Sequence, residues 1–415
     1  MSHPPSVGAL PVPHGELRAL FPSLSQQVAG REAVFLDGPG GTQTPRGVMD
    51  AMSAYLSRDN ANTGGSFITS QRTDQAVAAA RAEMVRFLNA NRPEEIVFGQ
   101  NSTSLWFALG RALGRTWNAG DEIVVTSLDH DANITPWVLA ARDAGATVRT
   151  WEFHTEDCTL RLKDLDALLN DKTRHVAFTH ASNAVGTIPD VAGAIRLVRQ
   201  KAPGATTFVD AVHYTPHNPV DVRALDTDFL GCSAYKFCGP HLGMLYGKYE
   251  HLDRLEAYKV RPSYAKPPGK WETGTQSFES ISGLRAALEY LESIGGMERI
   301  RDYELGLTRA FLEAARDVPG LKVHGLTAPD RAGERTPTFG VTLEGWNAAP
   351  LAAHLGAQGI FVWDGHFYAV DVVDRLGLKE RGGLVRIGFA HYNTHEEVAR
   401  VIDVLKDAAR TGPRE

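Results

Sequence analysis

The sequence is short of several things, and each shortage excludes something. Only three cysteines occur in 415 residues: Cys158, Cys232 and Cys238. Three cannot build a disulfide framework and no C-x-x-C pair offers a zinc site, so a reduced, cytoplasmic setting is expected. No apolar run approaches the roughly 20 residues that cross a bilayer, so no membrane partner is expected. A net charge of −6 leaves no basic footprint for nucleic acid. Met1 to Pro13 is proline-rich and lacks a basic patch leading into an apolar stretch. It reads as a loose arm and not as a signal peptide. Beyond that arm there is no internal repeat and no low-complexity block. What remains is ordinary globular material, 43% hydrophobic and 22% charged, long enough for two or three compact units.

The middle of the chain alternates short β-type runs with helical runs. Strands are predicted at Glu95 to Gly99, Glu122 to Ser127, Thr147 to Phe153, Arg174 to His180, Thr206 to Asp210, Asp228 to Ser233 and Leu242 to Gly247. Helices are predicted at Gln75 to Asn89 with Asp74 as N-cap, at Ser104 to Leu113 and at Val191 to Lys201. The pattern is that of an α/β protein, a mostly parallel seven-stranded sheet flanked by helices. The step from Ser233 to Leu242 is too short for a crossover helix, so the last strand is expected to run antiparallel. Arg261 to Gly274 reads as a loop. The remainder mixes helices (Ser282 to Ser293, Glu298 to Asp317, Ala348 to Gln358, His395 to Ala409) with strands at Thr338 to Leu343 and Val385 to Phe389, a smaller α+β C-terminal domain. Thr394 and Glu397 form a capping box. The expected division is an arm over 1–34 packing with the small domain, a large domain over 35–281 and a small one over 282–415.

Ligands of an open parallel sheet bind beyond the carboxyl ends of its strands. The polar residues there are Ser102 and Thr103 at a helix start, then His130, Asn183, Asp210 with His213, and Ser233 with Lys236. Each alone has an ordinary reading: a solvated lysine, a turn aspartate, a hydrogen-bonded loop histidine. Together, an anion site, a lysine and a carboxylate are what pyridoxal 5'-phosphate requires. Other features carry less. Gly38-Pro39-Gly40-Gly41 lacks the lysine and spacing of a P-loop and reads as a turn at the substrate entrance. His391 and His395 have no third ligand, so no metal is expected. Cys158 reads as a surface residue, Cys232 as a small buried hydrophobe, and Arg331 to Arg335 as a solvated loop.

These residues fall in motifs that resemble the fold-type I, class V aminotransferases, in the cysteine desulfurase-like branch, from about Phe35 to Leu405. His180-Ala-Ser-Asn-Ala-Val-Gly186 resembles T-H-x-S-N-x-x-G, and Ser233-Ala-Tyr-Lys236 followed by Gly239-Pro240 resembles the S-x-H-K…G-P loop. Glu272-Thr-Gly-Thr275 resembles E-x-G-T, and Arg386 to Glu397 resembles R-x-x-x-x-x-Y-N-T-x-E-E. The resemblance implies a Schiff-base role for Lys236, a pairing of Asp210 with the pyridine nitrogen and of His130 with the ring face, and places Asn183 and His213 near the pyridine hydroxyl. It implies phosphate binding by Ser102, Thr103 and Ser233, with Thr275 reaching the phosphate of the other subunit of a homodimer with shared active sites. Arg386 would hold the carboxylate of a small amino-acid substrate, with Tyr368 and His366 beside it. Four departures stand out. Tyr368 occupies the place of the desulfurase nucleophilic cysteine in a G-H-H-C-A-like segment, and a phenol with pKa about 10 does not accept sulfur as a thiolate does. Trp363 stands for an arginine, Tyr235 for a histidine, and Thr63 to Phe67 for a histidine- and arginine-bearing segment. A C–S or C–Se lyase, or a desulfurase-like reaction without a persulfide cysteine, is therefore expected. An aminotransferase, an epimerase and a non-catalytic scaffold are the alternatives.

Overall fold

The computed structural model of the protein describes residues 10–412. Its main sheet has seven strands: β1 (Ile96–Gly99), β2 (Glu122–Thr126), β3 (Thr147–Trp151), β4 (Thr173–Thr179), β5 (Thr206–Asp210), β6 (Phe229–Ser233) and β7 (Gly243–Gly247). Their spatial order is β1-β7-β6-β5-β4-β2-β3. Strands β2 to β6 pair in parallel, while β7 is antiparallel to both β6 and β1. The short 233–242 connection thus reverses the chain as its length demands. Because β1 is antiparallel to β7, it points the same way as β2 to β6. The strand ends at Gly99, Thr126, Thr179, Asp210 and Ser233 therefore share one edge of the sheet. Burial on both faces explains why β5, β6 and β7 are buried at every position.

Helices α1 (His14–Ala19), α2 (Arg46–Arg58), α3 (Ile68–Leu88), α4 (Ser102–Gly114), α5 (Val191–Lys201), α6 (Phe278–Ser293), α7 (Gly296–Ala315) and α8 (His395–Thr411) position the rest. The capping box at the start of α8 forms between Thr394 and Glu397. Helix α3 begins six residues before Asp74, which does not cap it. Ser70 and Thr73 are fully buried in the added turn, bonded to the carbonyls of Asn62 and Asp59, while the Asp74 carboxylate accepts from the Gly64 N–H at 3.2 Å. Polar side chains satisfied by the loop just before it continue the helix where local spacing shows no apolar stripe.

A second, four-stranded sheet, β8 (Leu321–Val323), β9 (Thr338–Leu343), β10 (Trp363–Gly365) and β11 (Leu384–Gly388), runs β8-β9-β11-β10 and is antiparallel throughout. With α8 and the end of α7 it encloses its own core, including Leu307, Phe311, Val401 and Leu405. The expected boundary between 281 and 282 falls inside α6 and is corrected. Leu284, Leu288 and Leu291 of α6, and Met297 and Ile300 at the start of α7, belong to the core of the large sheet. The change of core comes along α7. The arm, too, meets both units: Leu17 and Phe21 join the large core, while Arg18 pairs with Glu397 at 3.0 Å. Residues 1–9 lie outside the described residues.

Two further expectations are corrected by burial. Cys158 is 1% exposed and held at φ 53° in a turn, not on the surface. Arg335 is 4% exposed and donates to the Val185 and Thr338 carbonyls, tying the small sheet to the loop after β4. Only its neighbours, Arg331 with Glu334, form the exposed pair a solvated loop implies. Among the described residues no helix is long and apolar enough to cross a membrane.

Candidate active site

The five strand ends surround one cavity, lined among others by Ser102, Thr103, Trp106, His130, Asn183, Asp210, His213, Tyr235 and Lys236. The anion-binding corner is built first. Asn101 caps α4, its side chain accepting from the Ser104 N–H at 2.9 Å, and the Ser102 and Ser233 hydroxyls share a hydrogen bond. The start of α4 lies directly against β7. A Cβ on Gly243 would overlap the backbone of Asn101 and Ser102, so only glycine admits the helix start here. N–H groups at a helix start together with hydroxyls suit a phosphate.

Lys236 follows β6 and is buried. Desolvation, helped by the positive charge of Arg386 and opposed by Asp210, lowers its amine to about 7. Its Nζ donates to the Pro39 carbonyl, so the Gly38–Gly40 turn closes over the lysine. The turn is held from both sides: a Cβ on Gly40 would stand 2.5 Å from Trp363 Nε1, and one on Gly41 would stand 3.0 Å from the Tyr235 ring. This explains the glycine pair that the sequence marked only as a turn. Burial raises Asp210 to about 6, against the Val212 N–H bond and the Lys236 charge, and the N–H reaches Oδ1 at 2.9 Å.

His130 is lowered to about 4 by burial and by the charges of Lys236 and Arg386. The ring is neutral at pH 7. Its Nδ1 accepts from the Ala132 N–H at 3.0 Å, which leaves the proton on Nε2. Beside it, Asp129 is fully satisfied by Thr126, Asn133 and the Thr179 N–H. The sequence offered no role for this carboxylate, whose partners come from β2, the turn after it and β4. His213 Nε2 lies 2.9 Å from the Thr338 hydroxyl, while its Nδ1 and Asn183 Oδ1 are buried without partners.

Arg386 on β11 is buried, donates to the Asn183 carbonyl at 3.0 Å and keeps its Nε unpartnered. Burial lowers it to about 9. Asp37, missed in the sequence, belongs to the same corner. Its carboxyl is raised to about 6 by burial, against the opposing pull of Arg386, and its Oδ1 has no partner.

The 365–369 loop covers this corner. Phe367 and Tyr368 both have positive φ, 53° and 59°, which bulky residues rarely adopt. Two bonds hold them there: Asn183 Nδ2 to the Phe367 carbonyl at 2.8 Å and the Asp131 N–H to the Tyr368 carbonyl at 2.7 Å. The Phe367 ring centre lies 4.2 Å from the Arg386 guanidinium carbon. The Tyr368 ring stacks on His130 at 5.3 Å and 16°. His366 is exposed, accepts from the Tyr368 N–H through Nδ1 and does not line the cavity. Thr275 is also exposed and lies outside the cavity, beside a separate depression at Gln100, Ser104 and His241.

Pyridoxal phosphate fits these residues. A buried amine of lowered basicity, a buried carboxylate, an imidazole face, a helix-start anion corner and two orphaned polar atoms, Asn183 Oδ1 and His213 Nδ1, meet at one cavity.

Comparison with known proteins gives the same direction. A family profile described as aminotransferase class-V matches residues 34–401. A probable cysteine desulfurase of Streptomyces coelicolor is 34% identical, over 94% of this chain and 96% of its own length. A cysteine desulfurase of Salmonella agona is 34% identical, over 94% of this chain and 97% of its own. Among solved structures, an apo cysteine desulfurase from Thermococcus onnurineus NA1 superimposes with a TM-score of 0.88 at 27% identity, covering 97% of this chain and 98% of that one.

Proposed function

The chain belongs to the aminotransferase class-V family and is a pyridoxal-phosphate enzyme of the cysteine desulfurase-like kind, and from that premise we propose that it is a C–S or C–Se lyase. Its substrate is a cysteine-type amino acid, and the sulfur is not passed to a cysteine of its own. One observation carries this reading. Tyr368 stands where the persulfide cysteine is expected, with its ring stacked on His130. The three cysteines are free, buried and elsewhere, with thiols pushed up by burial, Cys158 and Cys238 to about 12. A cavity without an available thiolate has no sulfur acceptor of its own.

When bound, pyridoxal phosphate supplies covalent capture of the substrate amine and an electron sink for the α-carbon. Ser102, Thr103, Ser233 and the start of α4 would hold its phosphate, and Asp210 its pyridine nitrogen. His130 would cover the ring, while Asn183 and His213 would meet the phenolic oxygen. Thr275, exposed and outside its own cavity, would serve the phosphate of the second subunit of a homodimer. Arg386 binds the substrate carboxylate, with Tyr368 and His366 near the rest of the molecule. Lys236 Nζ takes the proton from the α-carbon; its lowered pKa leaves an unprotonated amine available near neutral pH. The free buried thiols suit a reducing, cytoplasmic setting.

The test is product analysis of the holoenzyme with cysteine, cystine and selenocysteine. Pyruvate with sulfide, persulfide or selenide is the expected outcome, and Lys236→Ala abolishes it. Alanine with a protein-bound persulfide refutes the proposal in favour of desulfuration. A keto acid formed only with an amino-group acceptor establishes an aminotransferase, and exchange of the α-proton with inversion an epimerase.

A further inference from the structure

Four aromatic rings surround the position of a substrate held by Arg386, and two are uncovered. Tyr368 is 67% exposed and Trp363 is 54% exposed. Large aromatic faces left open at the edge of a binding site are costly to hydrate and suit a flat apolar ligand. They are not stray surface residues. Trp363 pairs with Arg386 across β10 and β11, and its indole lies beside Gly40 together with the Arg386 guanidinium. Phe367 lies over that guanidinium at 4.2 Å, and Tyr235 lies 5.0 Å from Lys236 Nζ. The Phe367 and Tyr368 rings owe their places to two consecutive left-handed residues tied down by Asn183 and Asp131. Backbone held in this way beside a binding site points to a use for the rings it presents.

The thiol of free cysteine would leave these surfaces unused. We propose that the aromatic rim selects cysteine conjugates whose sulfur carries an aryl or similarly flat apolar group, which leaves as the thiol. This rests on the lyase reading above. The overall change is R–S–CH2–CH(NH3+)–COO− plus water giving R–SH, pyruvate and ammonium. The C–S bond breaks with its electron pair on sulfur, the thiolate takes a proton, and water hydrolyses the remaining enamine or imine. No external oxidant or reductant is consumed. Arg386 anchors the carboxylate, and the rim receives R.

The experiment has two arms on the holoenzyme. The first compares release of pyruvate and thiol from S-phenyl-L-cysteine, S-methyl-L-cysteine and L-cysteine. The second measures calorimetric binding of two analogues with a methylene in place of sulfur, homophenylalanine for the phenyl compound and norvaline for the methyl one. The expected result is a preference of about tenfold or more for the phenyl member in both arms, reduced several-fold by Trp363→Ala and by Tyr368→Ala. Both side chains are mostly exposed, so neither truncation empties a core, and unchanged melting curves verify this. Equal binding of the two analogues overturns the proposal. So does an aryl preference that survives both truncations, or a Trp363→Ala protein whose only change is a weaker dimer, because the rings would then be covered by a second copy of the chain. Aryl-selective binding without thiol release upholds the substrate class and defeats the lyase reading. Thiol release from the small substrates without aryl preference does the reverse.

Discussion

The chemistry depends on an amine that is uncharged when it is needed, and this can be measured directly. Lys236 sits at about 7, against 10.5 for an ordinary lysine, with burial as the leading cause and Arg386 next. At pH 8 an amine of pKa about 7 is ~90% neutral, whereas one at the ordinary value is only ~0.3% neutral, a difference of about 300-fold in reactive form. Brief reductive methylation of the cofactor-stripped enzyme, followed by mass spectrometry of the Lys236 peptide, yields the rate against pH. The expected profile has its midpoint near 7. Two substitutions move it in opposite directions. Arg386→Gln removes a repelling charge and raises the midpoint, by less than the burial effect. Asp210→Asn removes the attracting carboxylate and lowers it. The stability consequence has a definite sign. Because the folded pKa lies below the unfolded one, the buried amine opposes folding at pH below about 7, and this cost fades as pH rises toward 10.5. A midpoint above about 9, or both variants shifting the same way, refutes the reasoning that burial and these two charges set the amine.

Two further predictions follow from buried groups outside the reaction. Native protein at pH 8 should resist iodoacetamide at all three cysteines and react at all three once unfolded, as their raised pKa values require; rapid native labelling of any one, read by mass spectrometry, would revive a thiol acceptor. Glu272 receives the Phe98 N–H at 2.8 Å and pairs with Arg81 at 2.9 Å, both side chains being largely buried. Glu272→Ala leaves that guanidinium unpaired and should cost about 3–5 kcal/mol. A clear fall in melting temperature, with new protease cleavage in the 261–276 loop, is the expected reading, and an unchanged melting curve contradicts it.

The Glu272 pair also shows how far motif reading reaches. The E-x-G-T segment was recognisable by its letters, yet its glutamate ties the loop to α3 and β1, while Thr275 stands exposed at the surface. The seven strands of the main sheet were legible to within two residues, because most are short apolar runs and β3, though half-exposed, is rich in β-branched and aromatic residues, which is local information. Helix α3 was legible only from Gln75 onward, since its first turn is polar and is satisfied by residues 59–65. The burial of Arg335 and Cys158 was invisible for the same reason: polar or small residues beside exposed ones give no pattern, and only the sheets meeting around them decide their solvent contact.

By itself the sequence determined which side chains stand at which strand ends. Strands joined by crossovers run the same way and leave their carboxyl ends on one edge of the sheet, so Ser102, His130, Asn183, Asp210 and Lys236 come together there. It also determined that no cysteine occupies the position of Tyr368. Only the tertiary structure decided what that tyrosine does. The stack of Tyr368 on His130 and the lowering of Lys236 by Arg386 each join residues a hundred or more positions apart, and Phe367 reaches Arg386 only because the 365–369 loop folds back over β11. Desolvation and ring contact depend on what the rest of the chain brings to a point in space, and no local pattern encodes that.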